Sequence, residues 1–86
     1  MILDIKNVKG LHARASAKFV EVVEGFDADT VVSRDGQEAS GDSIMGLLML
    51  AAACGSQVEV KTTGPQAKEL ETALKKLVDG LFGEGT

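Results

Sequence analysis

Tryptophan and tyrosine are absent from this 86-residue chain, and Phe19, Phe26 and Phe82 are its three aromatic residues. The core is therefore expected to be aliphatic, and there is no set of aromatic rings on which nucleic-acid bases could stack. Positive charge is also in short supply. Nine Lys and Arg stand against 13 Asp and Glu, a formal net charge of −4, and no cationic cluster offers a phosphate-neutralising face to a nucleic acid. The single cysteine, Cys54, excludes an internal disulfide. Lying in the apolar segment Ala51-Ala52-Ala53-Cys54, it reads as a small buried thiol. No Cys/His cluster has the spacing of metal ligands, and no Gly-x-x-x-x-Gly-Lys-Ser/Thr loop is present to cradle a nucleotide. No apolar run approaches the roughly 20 residues needed to span a bilayer. Met1-Ile2-Leu3 leads straight into Asp4 rather than through a basic-then-apolar leader, so cytoplasmic placement is expected. At this length a single domain over residues 1–86 is expected, burying about 60% of its unfolded surface and leaving no room for a large cavity.

What is present is strongly patterned. Ile2-Leu3-Asp4-Ile5-Lys6 alternates as a half-buried strand does, and Asn7 to Gly10 read as a loop. A first helix is expected from about Ala13 to Glu24, with Ala15, Phe19, Val22, Val23 and then Phe26 on one stripe and Gly25 as its stop. Thr30 to Ser33 form a second strand, Asp35-Gly36 a tight hairpin turn, and Gln37 to Ser40 a short third strand. Gly41-Asp42-Ser43 signals a helix start with Ser43 as N-cap. The helix that follows is apolar nearly all round and is expected to run to Gly55, with Leu47, Leu50 and Ala51 facing the core. Val58 to Lys61 alternate as a fourth strand, and Gly64-Pro65 opens a last helix whose buried stripe is Ala67, Leu70, Ala73, Leu74, Leu77 and Val78. Gly80, Gly83 and Gly85 suggest a frayed tail. The order β-α-β-β-α-β-α, with one-sided strands and amphipathic helices, predicts an α+β open-faced sandwich: a four-stranded antiparallel sheet with three helices on one face.

The one histidine, His12, falls where the polar stretch through Gly10 gives way to the first helix. Backbone N–H groups of a first helical turn lack intrahelical partners, and the helix dipole adds about half a positive charge there. Such a place holds anions, and Arg14 adds a charge-assisted donor. Imidazole is also a nucleophile near neutral pH, able to carry a phosphoryl group as well as bind one.

Two segments on successive helix starts, Gly-Leu-His-Ala-Arg at 10–14 and Ser-Ile-Met-Gly-Leu-Leu at 43–48, together with the element order, resemble the HPr-type histidine phosphocarriers of the bacterial phosphotransferase system. Gly25-Phe26-Asp27-Ala28 and Thr63-Gly64-Pro65-Gln66 are more similar to the nitrogen-related branch of that family. The resemblance implies that His12 accepts a phosphoryl group on Nδ1 from enzyme I and hands it to an EIIA-type protein, with Arg14 stabilising the phosphate and the backbone N–H groups of Ala13, Ala15 and Ser16 receiving its oxygens. It implies no cofactor and no metal. It also makes Ser43 a candidate for regulatory phosphorylation by a serine kinase, beside its plain role as a cap. The chain departs from the family pattern at Ala15, where proline is usual, and at Ser16, whose hydroxyl is expected to add a donor near the phosphate. Glu21 and Glu24 stand where sugar-transport members often carry lysine, which disfavours acidic partners along that face.

A helix lying on a sheet buries only a stripe, so Ile44, Met45, Leu48 and Met49 are expected to leave apolar surface exposed for docking partners in turn. A monomer suits such sequential docking. A second reading keeps the same surface but makes the chain a regulatory module, whose state at His12 or Ser43 controls binding to kinases, transporters or transcription regulators. A third, a small-ligand-binding domain, needs a pocket of several hundred Å³.

Overall fold

The structure, a computed structural model, describes residues 1–86. Its strands are β1 (Ile2–Asp4), β2 (Asp29–Arg34), β3 (Gln37–Ser40) and β4 (Gln57–Thr63), and its helices are α1 (Ala13–Glu24), α2 (Ile44–Met49) and α3 (Ala67–Asp79). The strands form one antiparallel sheet in the order β1-β4-β2-β3. The period-2 alternation that marked each strand puts Leu3, Val32, Ala39, Val58 and Val60 on its covered face. Against them α1 buries Ala15, Phe19, Val20 and Val23, while α3 buries Leu70, Leu74 and Val78. This is the expected open-faced sandwich, with a core that is aliphatic apart from Phe19 and Phe82. No helix is long and apolar enough to cross a membrane.

Asp35 and Gly36 both take positive φ (50° and 81°), the mirror-image turn that matches strand twist in a two-residue hairpin. Register follows from it, pairing Val32 with Ala39 and Arg34 with Gln37.

Several boundaries differ from those the sequence predicts. Strand β1 stops at Asp4, although Ile5 is still buried as the alternation requires. Helix α3 begins at Ala67, two residues after Pro65, with Gln66 as a cap that lends no side-chain bond. Helix α2 ends at Met49 rather than near Gly55. The Arg34 guanidinium donates to the Leu50 carbonyl (Nη1···O 3.0 Å), and Ala51 turns the chain with φ 53°. The backbone then docks on the loop before α1: Leu11 N–H donates to the Ala52 carbonyl at 2.8 Å, and Ala52 is buried. Ala51, expected to face the core, is exposed, as is Cys54, which is a surface thiol and not a buried one. Gly10 makes the docking possible. Its φ is +66°, and a Cβ there would lie 2.5 Å from the Ala52 carbonyl oxygen and 2.9 Å from Ala53 Cα, so no other residue fits without moving the backbone.

The largest correction is at the end of the chain. The glycine-rich tail is not frayed. Gly80 closes α3, a 3-10 turn follows at Leu81–Gly83, and Phe82 is fully buried. A depression of about 860 Å³ lies where the β2–β3 turn meets the start of β4, open to solvent and with Ile2 and Val58 as its two hydrophobic lining residues.

Candidate functional site

His12 is the N-cap of α1, with extended backbone (φ −77°, ψ −177°). Its carbonyl accepts the first intrahelical bond, from Ser16 N–H at 2.8 Å. Its ring Nδ1 accepts from Arg14 N–H at 3.3 Å, a long and weak cap bond. The other ring nitrogen, Nε2, is hydrogen-bonded to a Glu84 carboxylate oxygen. Ionised carboxylates only accept, so Nε2 carries the proton and Nδ1 presents the lone pair. The His12 side chain is 28% exposed and that of Glu84 13%.

Glu84 is held from a second side. Asn7, fully buried, donates through Nδ2 to the other Glu84 oxygen at 3.0 Å and to the Gly10 carbonyl at 2.7 Å. One carboxamide thus ties the loop before α1 to the tail after α3. The turn that delivers Glu84 is fastened in its turn by Lys18, whose Nζ donates to the Phe82 carbonyl at 2.6 Å. Beside these contacts lies a recess of about 310 Å³ whose lining includes Val8, Lys9, His12, Arg14, Lys18 and Glu84. Three cations and one carboxylate surround a ring nucleophile.

Of the backbone groups expected to meet a phosphate, those of Ala13 and Ala15 belong to the first turn, where Ala13 is exposed and Ala15 is buried. Ser16 does not serve that purpose. Its N–H closes on the His12 carbonyl, its side chain is fully buried, and its hydroxyl donates to the Leu11 carbonyl at 3.2 Å. A hydroxyl one helical turn past the cap faces inward here because position 16 falls on the buried stripe with Phe19 and Val20. Ser43 caps α2 as expected, accepting from Gly46 N–H at 3.0 Å. Helix α2 packs beside α1 and buries Leu47, while Ile44, Met45 and Met49 are 40%, 68% and 75% exposed. Leu48 is half-buried, and Glu21 and Glu24 are exposed on α1.

A family model described as the PTS HPr component phosphorylation site matches residues 2–80. The chain belongs to the HPr family. It is 45% identical to the phosphocarrier protein HPr of Neisseria meningitidis over 83 residues, covering 96% of this chain and 93% of that one. Against the phosphocarrier protein NPr of Escherichia coli it is 42% identical over 83 residues, covering 95% and 92%. A crystal structure of HPr from Thermoanaerobacter tengcongensis superposes with a TM-score of 0.93 at 34% identity, covering 98% of this chain and 94% of that one. Relatives bearing the HPr and the NPr name thus match to nearly the same degree. Carriage of a phosphoryl group follows from membership of the family.

In this HPr-family chain three side chains at the site, Asn7, Lys18 and Glu84, had no signal in the sequence. Glu84 meets His12 across 72 positions and Asn7 across 77, while Lys18 meets Phe82 across 64. No local periodicity reports contacts at such separation.

The Asn7 carboxamide first, then the His12 ring, hold the Glu84 carboxyl below its usual value of 4.5, with partial desolvation opposing them. A carboxylate whose folded pKa is depressed contributes stability that is full above its unfolded pKa and is lost as pH falls through the folded value. The thermal midpoint of the wild-type protein should therefore exceed that of Glu84→Gln at pH 6, and the gap should narrow as pH falls below about 4.5. A pH-independent gap in paired melting curves would show that the carboxylate charge is not what stabilises the tail.

Proposed function

We propose that His12 is the residue that carries the phosphoryl group, through Nδ1, from a phosphohistidine of enzyme I to an EIIA-type protein. The observation that supports this reading best is the Glu84 carboxylate on Nε2, which leaves Nδ1 as the nucleophilic nitrogen. In the transfer, the Nδ1 lone pair attacks phosphorus while the bond from phosphorus to the donor nitrogen breaks, and that electron pair stays on the donor ring. Attack by a neutral ring creates positive charge on it, since Nε2 keeps its proton. Glu84 sits against that proton and stabilises the charge as it forms. Arg14 and the first-turn N–H groups of Ala13 and Ala15 receive the phosphoryl oxygens. Transfer onward is the same step reversed onto an acceptor histidine, so the chain is both product and substrate of its partners.

The apolar group Ile44, Met45, Leu48 and Met49 docks those partners, one at a time, on a monomer. Methionine suits a surface that must repack for more than one partner. Phosphorylation of Ser43 by a serine kinase would replace a neutral cap by about −1.5 to −2 charges beside this patch. Docking would then weaken without any change at His12.

The test is incubation with phosphoenolpyruvate and enzyme I, followed by phosphorus NMR on protein with ring-labelled histidine. One phosphoryl group coupled to Nδ1 is the expected result. Attachment at Nε2 would overturn the assignment of nitrogen, and no uptake by the folded protein would overturn the relay.

A further inference from the structure

Leu81, Phe82 and Gly83 take φ of 58°, 54° and 77° in succession. Two of these three residues carry a Cβ, which makes the left-handed region unfavourable for them. This turn is what brings Glu84 back onto a helix start 72 residues away. Its own bonds are short-range: Gly83 N–H to the Gly80 carbonyl at 3.0 Å and Glu84 N–H to the Leu81 carbonyl at 2.9 Å. The loop before α1 holds the residues after the turn, through Asn7 on Glu84 and Val8 N–H on the Thr86 carbonyl, whereas the turn itself is bonded to α1 by the Lys18 ammonium on the Phe82 carbonyl. The fit is close, since a Cβ at Gly83 would lie 3.1 Å from Lys18 Nζ. An ammonium bonded to a carbonyl at 2.6 Å is committed to it, and the bond is charge-assisted and among the stronger kind.

We propose that Lys18 is a positioning residue for phosphoryl uptake: by clamping the Phe82 carbonyl it fixes the left-handed turn that seats Glu84 on Nε2 of His12. Lys18 acts through Glu84, not on the phosphoryl group itself. The rival account is direct attraction, because the same ammonium lines the recess beside Arg14. The inference rests on the proposed relay through His12.

The experiment separates clamp from attraction with Lys18→Met, which keeps the stem and loses the donor, Lys18→Arg, which keeps a charged donor, Glu84→Ala, and the double variant Lys18→Met/Glu84→Ala. The first readout is the low-field Nε2–H proton signal of His12 in the unphosphorylated protein, which needs no phosphate donor and so stands apart from any failure of the relay. The second is the initial rate of phosphorylation by enzyme I. The signal should fade in Lys18→Met as it does in Glu84→Ala, with a rate loss of roughly threefold to tenfold, the size expected for one hydrogen bond. Lys18→Arg should recover most of both. The double variant should be no slower than Glu84→Ala, because removing the clamp costs nothing once its cargo is gone. A slower rate with the signal intact would overturn the inference in favour of direct attraction. So would rate losses that multiply in the double variant, or a lost signal with an unchanged rate.

Discussion

His12→Ala should take up no phosphoryl group from phospho-enzyme I while remaining folded. The chain has one histidine, and the other side chains lining the recess with nitrogen are the cations Lys9, Arg14 and Lys18, which have no free lone pair while protonated. No substitute nitrogen nucleophile is therefore at hand, and loss of acid-labile, base-stable phosphate to the background of detection is expected. The fold should survive because His12 contributes little to it. Its cap bond is long at 3.3 Å, and losing an N-cap side chain costs about 0.5–2 kcal/mol. The variant also leaves Glu84 without its ring partner, but Asn7 still donates to that carboxylate. Circular dichroism and a melting curve would establish that the variant is folded. Acid-labile, base-stable phosphate on it would end the assignment of His12.

Phe82→Ala should be the most costly single substitution in the tail, destabilising the protein by about 3–5 kcal/mol. Domains of this kind have about 5–15 kcal/mol in all, so the variant would stand near the edge of folding. The ring is fully buried, packed in the same core as Phe19, Leu70 and Leu74. It lies two residues from Glu84, and its own backbone is in the left-handed region. Ring burial offsets that backbone cost, so truncation both opens a cavity and removes the reason for the turn to form. Phosphoryl uptake should fall with it, because Glu84 is no longer presented to His12. Urea denaturation measures the loss. A value under about 1 kcal/mol would mean that the tail opens on its own, outside the cooperative unit, and would make Phe82 an anchor of the tail alone.

The fold and the candidate nucleophile were legible in the sequence because each is written locally. Strand alternation, the apolar stripes of α1 and α3, the Asp35-Gly36 hairpin and the Ser43 cap depend on neighbours within a few residues. The Gly-Leu-His-Ala-Arg segment likewise carries its helix start, its ring and its cation together. Where the local pattern misled, a distant contact had overruled a local preference. The apolar run after Ser43 has every local reason to continue as helix, yet Arg34 takes the Leu50 carbonyl and the chain departs to meet Leu11. That departure is also what leaves Cys54 on the surface. Ser16 is the exception, since no distant contact decides it: the helical period alone places its hydroxyl on the buried stripe of α1.

The sequence by itself determined the element order, the sheet's covered face, the aliphatic core, and a histidine set at a helix N-terminus beside an arginine. Only the tertiary structure decided which ring nitrogen is free. That choice belongs to Glu84, held by Asn7 and delivered by a turn that Lys18 fastens, and each of these contacts joins residues more than 60 positions apart. The physical reason is that helix and strand periods report burial of a face, whereas a tautomer is set by one hydrogen bond from wherever the packed chain brings a carboxylate.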